Sequence, residues 1–129
     1  MSNENSGIDC PVDKVVSIFN KKWTIQIIRD MFFGKKRFKD FQEDKPGLSN
    51  KVLSNCLKDL EDNGIIRKEI INKSPNTTEY YLTEKGKDLN KIIYEMAMFA
   101  LDKGGYAEYD DENVKNELKD NFKKACNID

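Results

Sequence analysis

Apolar positions follow a helical period through most of this chain and a strand-like one only in a short stretch after the middle. Pro11 suits the first position of a helix, with Cys10 or Asp9 as its cap, and predicts a helix through Phe19. After a break at 20–22, the run WTIQIIRDMFF from Trp23 to Phe33 is apolar at so many positions that it predicts a central buried helix ending at Gly34. A shorter amphipathic run, Phe38 to Glu43, places Phe38 and Phe41 on one face and predicts a third helix, closed by a turn at Lys45-Pro46-Gly47.

The next segment is the most informative. Ser49 caps a fourth predicted helix, and Gly64 ends it in the left-handed conformation. Val52, Leu53, Cys56, Leu57 and Leu60 form one apolar stripe at about 100° per residue, while Lys51, Ser54, Asn55 and Lys58 point the opposite way. That outer face is polar and free of acids; Asp59, Glu61 and Asp62 lie at the far end. The amino-terminal half is therefore the part suited to approach a phosphate-bearing groove.

Beyond Gly64 the pattern turns to β. Ile65 to Ile71 and Thr78 to Leu82 are rich in β-branched and aromatic residues and predict a hairpin, with NKSPNT between its strands. Thr83 then caps a long predicted helix whose later part, IIYEMAMFAL from Ile92 to Leu101, holds a single charge, Glu95. A helix apolar on nearly all sides needs two partners. One side can pack on the domain, and a second copy of the chain is the simplest cover for the other. The alternative is burial within one subunit under Val114, Leu118 and Phe122, which line one face of a final helix.

These elements predict a mainly α fold with a small β-hairpin, laid out as a winged helix-turn-helix with carboxy-terminal dimerisation helices. Its 129 residues suit one domain: an amino-terminal tail over 1–9, the winged domain with its long dimerisation helix over 10–101, and an acidic extension over 102–129. With 38% hydrophobic and 35% charged residues, the composition is that of a folded, highly soluble chain. No apolar run approaches the roughly 18 residues a membrane span needs. The first nine residues lack the character of a signal peptide, so a cytoplasmic protein is expected, with no membrane association.

Charge sharpens the picture once it is divided along the chain. The net charge is −1, but residues 1–9 carry −2 and residues 102–129 carry −3, leaving +4 for the middle. Lys35, Lys36, Arg37, Lys39, Lys45, Lys51 and Lys58 cluster in that middle as a candidate phosphate-facing patch. There is no histidine, which removes the commonest general base and transition-metal ligand. Three widely spaced cysteines, Cys10, Cys56 and Cys126, form neither a disulfide framework nor a CxxC metal knuckle. No glycine-rich phosphate loop or nucleophile elbow is present, and DDEN at 110–113 lacks the glycine and spaced acid of a calcium loop. Neither an enzyme, nor a metal site, nor a cofactor is expected.

Six short strings tighten the identification: CPVDK at 10–14, KW at 22–23, RFKDF at 37–41, PGLS at 46–49, LKDLEDNGII at 57–66 and EYYLTEKG at 79–86. In this order and spacing, over about 90 of the 129 residues, the chain resembles the HxlR-type regulators, cousins of MarR-like proteins. The resemblance implies a homodimeric transcriptional regulator on a palindromic operator. The helix over 50–63 would enter the major groove of double-stranded DNA, and the hairpin tip over 72–78 would lie along the backbone or minor groove. Asn50, Lys51, Ser54 and Asn55 are then the candidates for base edges, and Lys58, Lys73, Lys35, Lys36 and Arg37 for phosphates. Two departures stand out: the wing carries Thr77 where similar members have Arg or Lys, and Lys21 stands in place of a family glycine before the Trp.

Several members of the family this chain resembles also carry a thiol at the start of the first helix that responds to oxidants or electrophiles. A helix amino terminus with Lys14 one turn on would favour a reactive thiolate at Cys10; equally, a Cys-Pro pair simply starts a helix. Cys56, on the apolar stripe, reads as core, and Cys126 as either a partner thiol or a residue without a role. A small-molecule or oxidant effector fits this picture. The rival function is a winged-helix protein-protein interaction module without specific DNA binding, for which the acidic extension would suit a basic partner.

Overall fold

The structure is a computed structural model that describes residues 8–71 and 77–129. Helix α1 spans Pro11–Ile18 and α2 spans Thr24–Phe32, closed by Gly34 at φ +96°. Between them and the next long helix lies a single 3-10 turn, Asp40–Gln42. The helix expected over 38–43 is therefore reduced to one turn. Six residues ahead of Pro46 offer too few hydrogen bonds to offset helix nucleation, and the turn is fixed by Phe41, which is fully buried.

Helix α3, Asn50–Asp62, has the cap read from sequence: the Ser49 side chain accepts from the Val52 amide at 3.1 Å. Gly64 follows at φ +74° and turns the chain into the hairpin β1, Ile66–Ile71, and β2, Thr77–Leu82. The strands pair antiparallel from Ile66 opposite Leu82 to Ile71 opposite Thr77. On the other edge of β2 the backbone of 36–37 adds a short bridge, with Arg37 opposite Glu79 and the Tyr80 amide donating to the Lys36 carbonyl at 2.7 Å.

The long helix expected from Thr83 is broken in two. Thr83 does cap a turn, α4 over Glu84–Lys87, accepting from the Gly86 amide at 3.0 Å. The ladder then tightens, with the Leu89 amide reaching Gly86, and resumes as α5, Asn90–Lys103. Helix α6, Glu112–Ala125, is capped by Asp111 and packs against α5.

One core holds these elements together. Ile27, Ile28 and Met31 of α2 meet Leu53, Cys56, Leu57 and Leu60 of α3, Ile65 and Ile66 at the start of the hairpin, and Ile93 of α5. Cys126 joins this core and is fully buried, so it stands as packing despite its place near a polar terminus. Helix α1 contributes no buried residue. Among the described residues no helix is long and apolar enough to cross a membrane.

Candidate nucleic-acid interface

The outer face of α3 is built by its capping and its stripe. With Leu53, Cys56, Leu57 and Leu60 facing inward, Asn50, Lys51, Ser54, Asn55 and Lys58 are all exposed on one side of the same helix. Asn50 is already oriented: its side-chain carbonyl accepts from Gln42 Nε2 at 2.6 Å, which ties the 3-10 turn to the first turn of α3. Gln42 carries no charge and sits outside the apolar pattern, so only the folded geometry reveals this role. Lys58 lies 3.9 Å from Asp62, an exposed pair of little energetic weight.

Val52 departs from the expected apolar stripe. It is 41% exposed, because it sits at the stripe's edge beside Asn55 rather than over the core. An apolar side chain thus accompanies the polar ones on the exposed face, and apolar contact with a thymine methyl is one of the ways base edges are read.

The basic segment 35–37 is less free than its sequence suggests. Arg37 Nη2 lies 3.3 Å and Lys36 Nζ 3.8 Å from Glu79, a carboxylate only 6% exposed, while Lys35 is 4.0 Å from Glu43. The Tyr81 hydroxyl also donates to Glu79, and this bond first, then the two cations, hold the Glu79 carboxyl below the usual carboxylate range. Lys45 leaves the patch altogether: it is 5% exposed and bound to Asp30, so the fold, not a phosphate, takes its charge. Lys73 lies outside the described residues, as does most of the hairpin tip.

The two lysines before Trp23 have found protein partners. Lys21 bonds Asp59 of α3, which raises its pKa, and Lys22 lies 5.0 Å from the Trp23 ring centroid. The α1–α2 turn is thereby tied to the far end of α3.

Cys10 occupies the cap position of α1 and is partly exposed, its backbone carbonyl accepting from Asp13 at 3.0 Å. Its thiol makes no capping bond, and Lys14 is turned to Asp9 at 3.2 Å. Cys56 and Cys126 are buried, and burial pushes both thiols up. Among the described residues no group of acids and cysteines could hold a metal ion.

A capped helix with an acid-free outer face, set after a tight turn and before a two-stranded hairpin, is the arrangement of helix-turn-helix regulators. The profile of the HxlR-like helix-turn-helix family matches residues 18–106. The chain belongs to the HxlR-like helix-turn-helix family. Among HxlR-like relatives, the uncharacterized HTH-type transcriptional regulator YvaP of Bacillus subtilis (strain 168) is 38% identical over 92 residues, covering 70% of this chain and 85% of YvaP. The HTH-type transcriptional regulator YodB of the same organism is 37% identical over 92 residues, 70% of this chain and 82% of YodB. Of solved structures, the redox regulator HypR in its reduced form superposes with a TM-score of 0.70 at 30% identity, covering 77% of this chain and 98% of HypR. The HxlR-like family is one of transcriptional regulators, so this chain is a helix-turn-helix transcriptional regulator and not an enzyme. DNA is the partner that assignment implies.

Proposed function

We propose that the chain acts as a homodimer on a palindromic operator, with α3 of each protomer in a major groove and the hairpin tip against the adjoining backbone. The observation that carries this reading is the exposed outer face of α3, polar with one valine and free of acids until its last turn. Asn50, Lys51, Ser54 and Asn55 meet base edges there. Lys58, Lys35, Lys36, Arg37 and Lys73 take phosphates, Arg37 and Lys36 while shared with Glu79. The dimer is supported by two uncovered apolar stripes. Ile92, Met96 and Phe99 recur at i, i+4 and i+7 on α5, and Val12 and Val16 at i and i+4 on α1; all five are exposed in the single chain. Helix α6 covers part of α5 and leaves this stripe exposed in the single chain, which favours a second copy as its cover over burial within one subunit.

The test is fluorescence-anisotropy binding to duplex from upstream of the chain's own gene, with random duplex as competitor. Specific binding should survive competitor, and log affinity should fall with log salt at roughly −0.9 per phosphate neutralised. Lys51→Ala and Asn55→Ala are expected to relax sequence preference, whereas Lys36→Ala weakens binding to every duplex about equally. Equal effects from all three would sink these roles, and no binding even at low salt would favour the protein-interaction module.

Oxidation at Cys10 is the proposed signal. HypR, the redox regulator at 30% identity, is known in reduced and oxidised forms, and Cys10 is the partly exposed cysteine here while Cys56 and Cys126 are buried. A peroxide would oxidise the Cys10 thiolate to a sulfenic acid, its O–O bond breaking with hydroxide as leaving group. Cys10→Ser should keep binding of the reduced protein and abolish the response to peroxide; a retained response would transfer the role to another thiol. The open cleft of ≈ 260 Å³ between α2, α5 and α6, lined by Ile25, Arg29, Ile93, Met96 and Phe122, is smaller than small-ligand pockets usually are, which favours an oxidant over a small-molecule effector.

A further inference from the structure

A second cavity lies at the base of the wing, where the carboxy-terminal end of α2, the end of β2 and α4 meet. It is a cleft of ≈ 370 Å³ open to solvent on one side, and its lining brings together four cations, Lys35, Lys36, Arg67 and Lys87, with Tyr81 and Leu82; among the described residues no carboxylate lines it. That volume exceeds what a bare ion fills and falls in the lower range of small-ligand pockets.

The cations have neighbours, but their donors are not used up. Lys87 is 3.5 Å from Glu84, Lys36 3.8 Å from Glu79 and Lys35 4.0 Å from Glu43. Each ammonium has three donors, so two or more stay available in every case. Glu79 is also held by Arg37 and the Tyr81 hydroxyl, so Lys36 can turn away without leaving a buried carboxylate unpaired. Arg67 is bound to Glu69 on the same strand and stacks 4.8 Å from the Tyr81 ring, which presents its planar donors at one wall.

Strand register separates this cavity from the wing tip. Arg67 pairs with Tyr81, and the last pair toward the tip, Ile71 with Thr77, lies four residues on, a distance of about 13 Å. Lys35 and Lys36 are common to the cavity and to the phosphate set proposed above, whereas Arg67 and Lys87 belong to the cavity alone. We infer that the wing base is a binding site for a small phosphate-bearing ligand, gripped by Lys35, Lys36, Arg67 and Lys87.

Thermal melts of the full chain test this without DNA, so the result is separate from that of the proposed function. Inorganic pyrophosphate should raise the unfolding midpoint by several degrees over sodium chloride of equal ionic strength. The shift should vanish in Arg67→Ala/Lys87→Ala, while the ligand-free affinity of that variant for duplex is unchanged. No shift in the natural protein, or an equal shift in both, overturns the assignment. A loss of duplex affinity as large as that of Lys51→Ala overturns it too, since those cations would then face DNA. A cooperative melt in chloride shows that the double variant folds; if it does not, Lys87→Gln at its exposed position reads the same shift.

Discussion

Asp30 of α2 and Lys45, in the turn before α3, form an ion pair inside the domain, and Arg29 adds a second contact to Asp30 at 2.9 Å. Removing two charges from water is costly and is repaid only while both are present. Lys45→Ala should therefore lower stability by roughly 3 kcal/mol in urea unfolding, near the low end for a broken buried pair because Arg29 still serves Asp30. Replacing both partners by apolar residues, Asp30→Leu with Lys45→Met, should recover most of that loss. If the double variant were as unstable as Lys45→Ala, the pair would not be acting as a unit. Lys45 also marks the limit of reading single residues. Its charge places it in the basic stretch, but depth depends on Asp30, fifteen positions earlier, and no local pattern records that partner. Val52 fails in the opposite sense: an apolar residue at a stripe's edge can face either way, and packing decided for solvent.

Among the elements, those with a cap, a stripe and a stop were legible from sequence. Helix α3 has all three in Ser49, its four core residues and Gly64, and it was placed to within a residue or two. Ser49→Ala should cost about 1 kcal/mol of stability by removing the acceptor for the Val52 amide, and should loosen the first turn on which Asn50 and Lys51 sit. The 3-10 turn and the break between α4 and α5 were not legible: the first follows from the short run before Pro46 together with the burial of Phe41, the second from contacts with a distant part of the chain. At α4 the cause is visible in Gly86. A Cβ there would stand 2.1 Å from the Ile65 carbonyl oxygen, so the turn is pressed against the start of the hairpin. Gly86→Ala is expected to destabilise by about 1–3 kcal/mol, since backbone must move to admit the methyl group. An unchanged urea midpoint would mean that α4 is free to shift. The bridge between 36–37 and β2 escaped sequence reading for the same reason: two residues carry no strand period, and Glu79 supplies the partner from more than forty positions away.

At the scale of the whole molecule, the uncovered stripes decide what one chain can do alone. A single recognition helix makes few base contacts, whereas two on a closed symmetric dimer read half-sites one helical turn apart and combine their phosphate contacts. Phe99, 68% exposed on α5, is the largest apolar residue on its stripe and the most exposed. Burying it against a partner would return about 2 kcal/mol per protomer, and a charge in its place would have to be desolvated on association. Phe99→Glu should therefore shift the mass in sedimentation from dimer to monomer with no loss of helix content, because the side chain touches little of its own domain. If specificity resides in the pair of α3 helices, the monomer should lose far more affinity for the operator than for random duplex, closing the gap between them. A monomer that kept full operator affinity would place recognition within one chain and leave the stripes of α1 and α5 to some other partner.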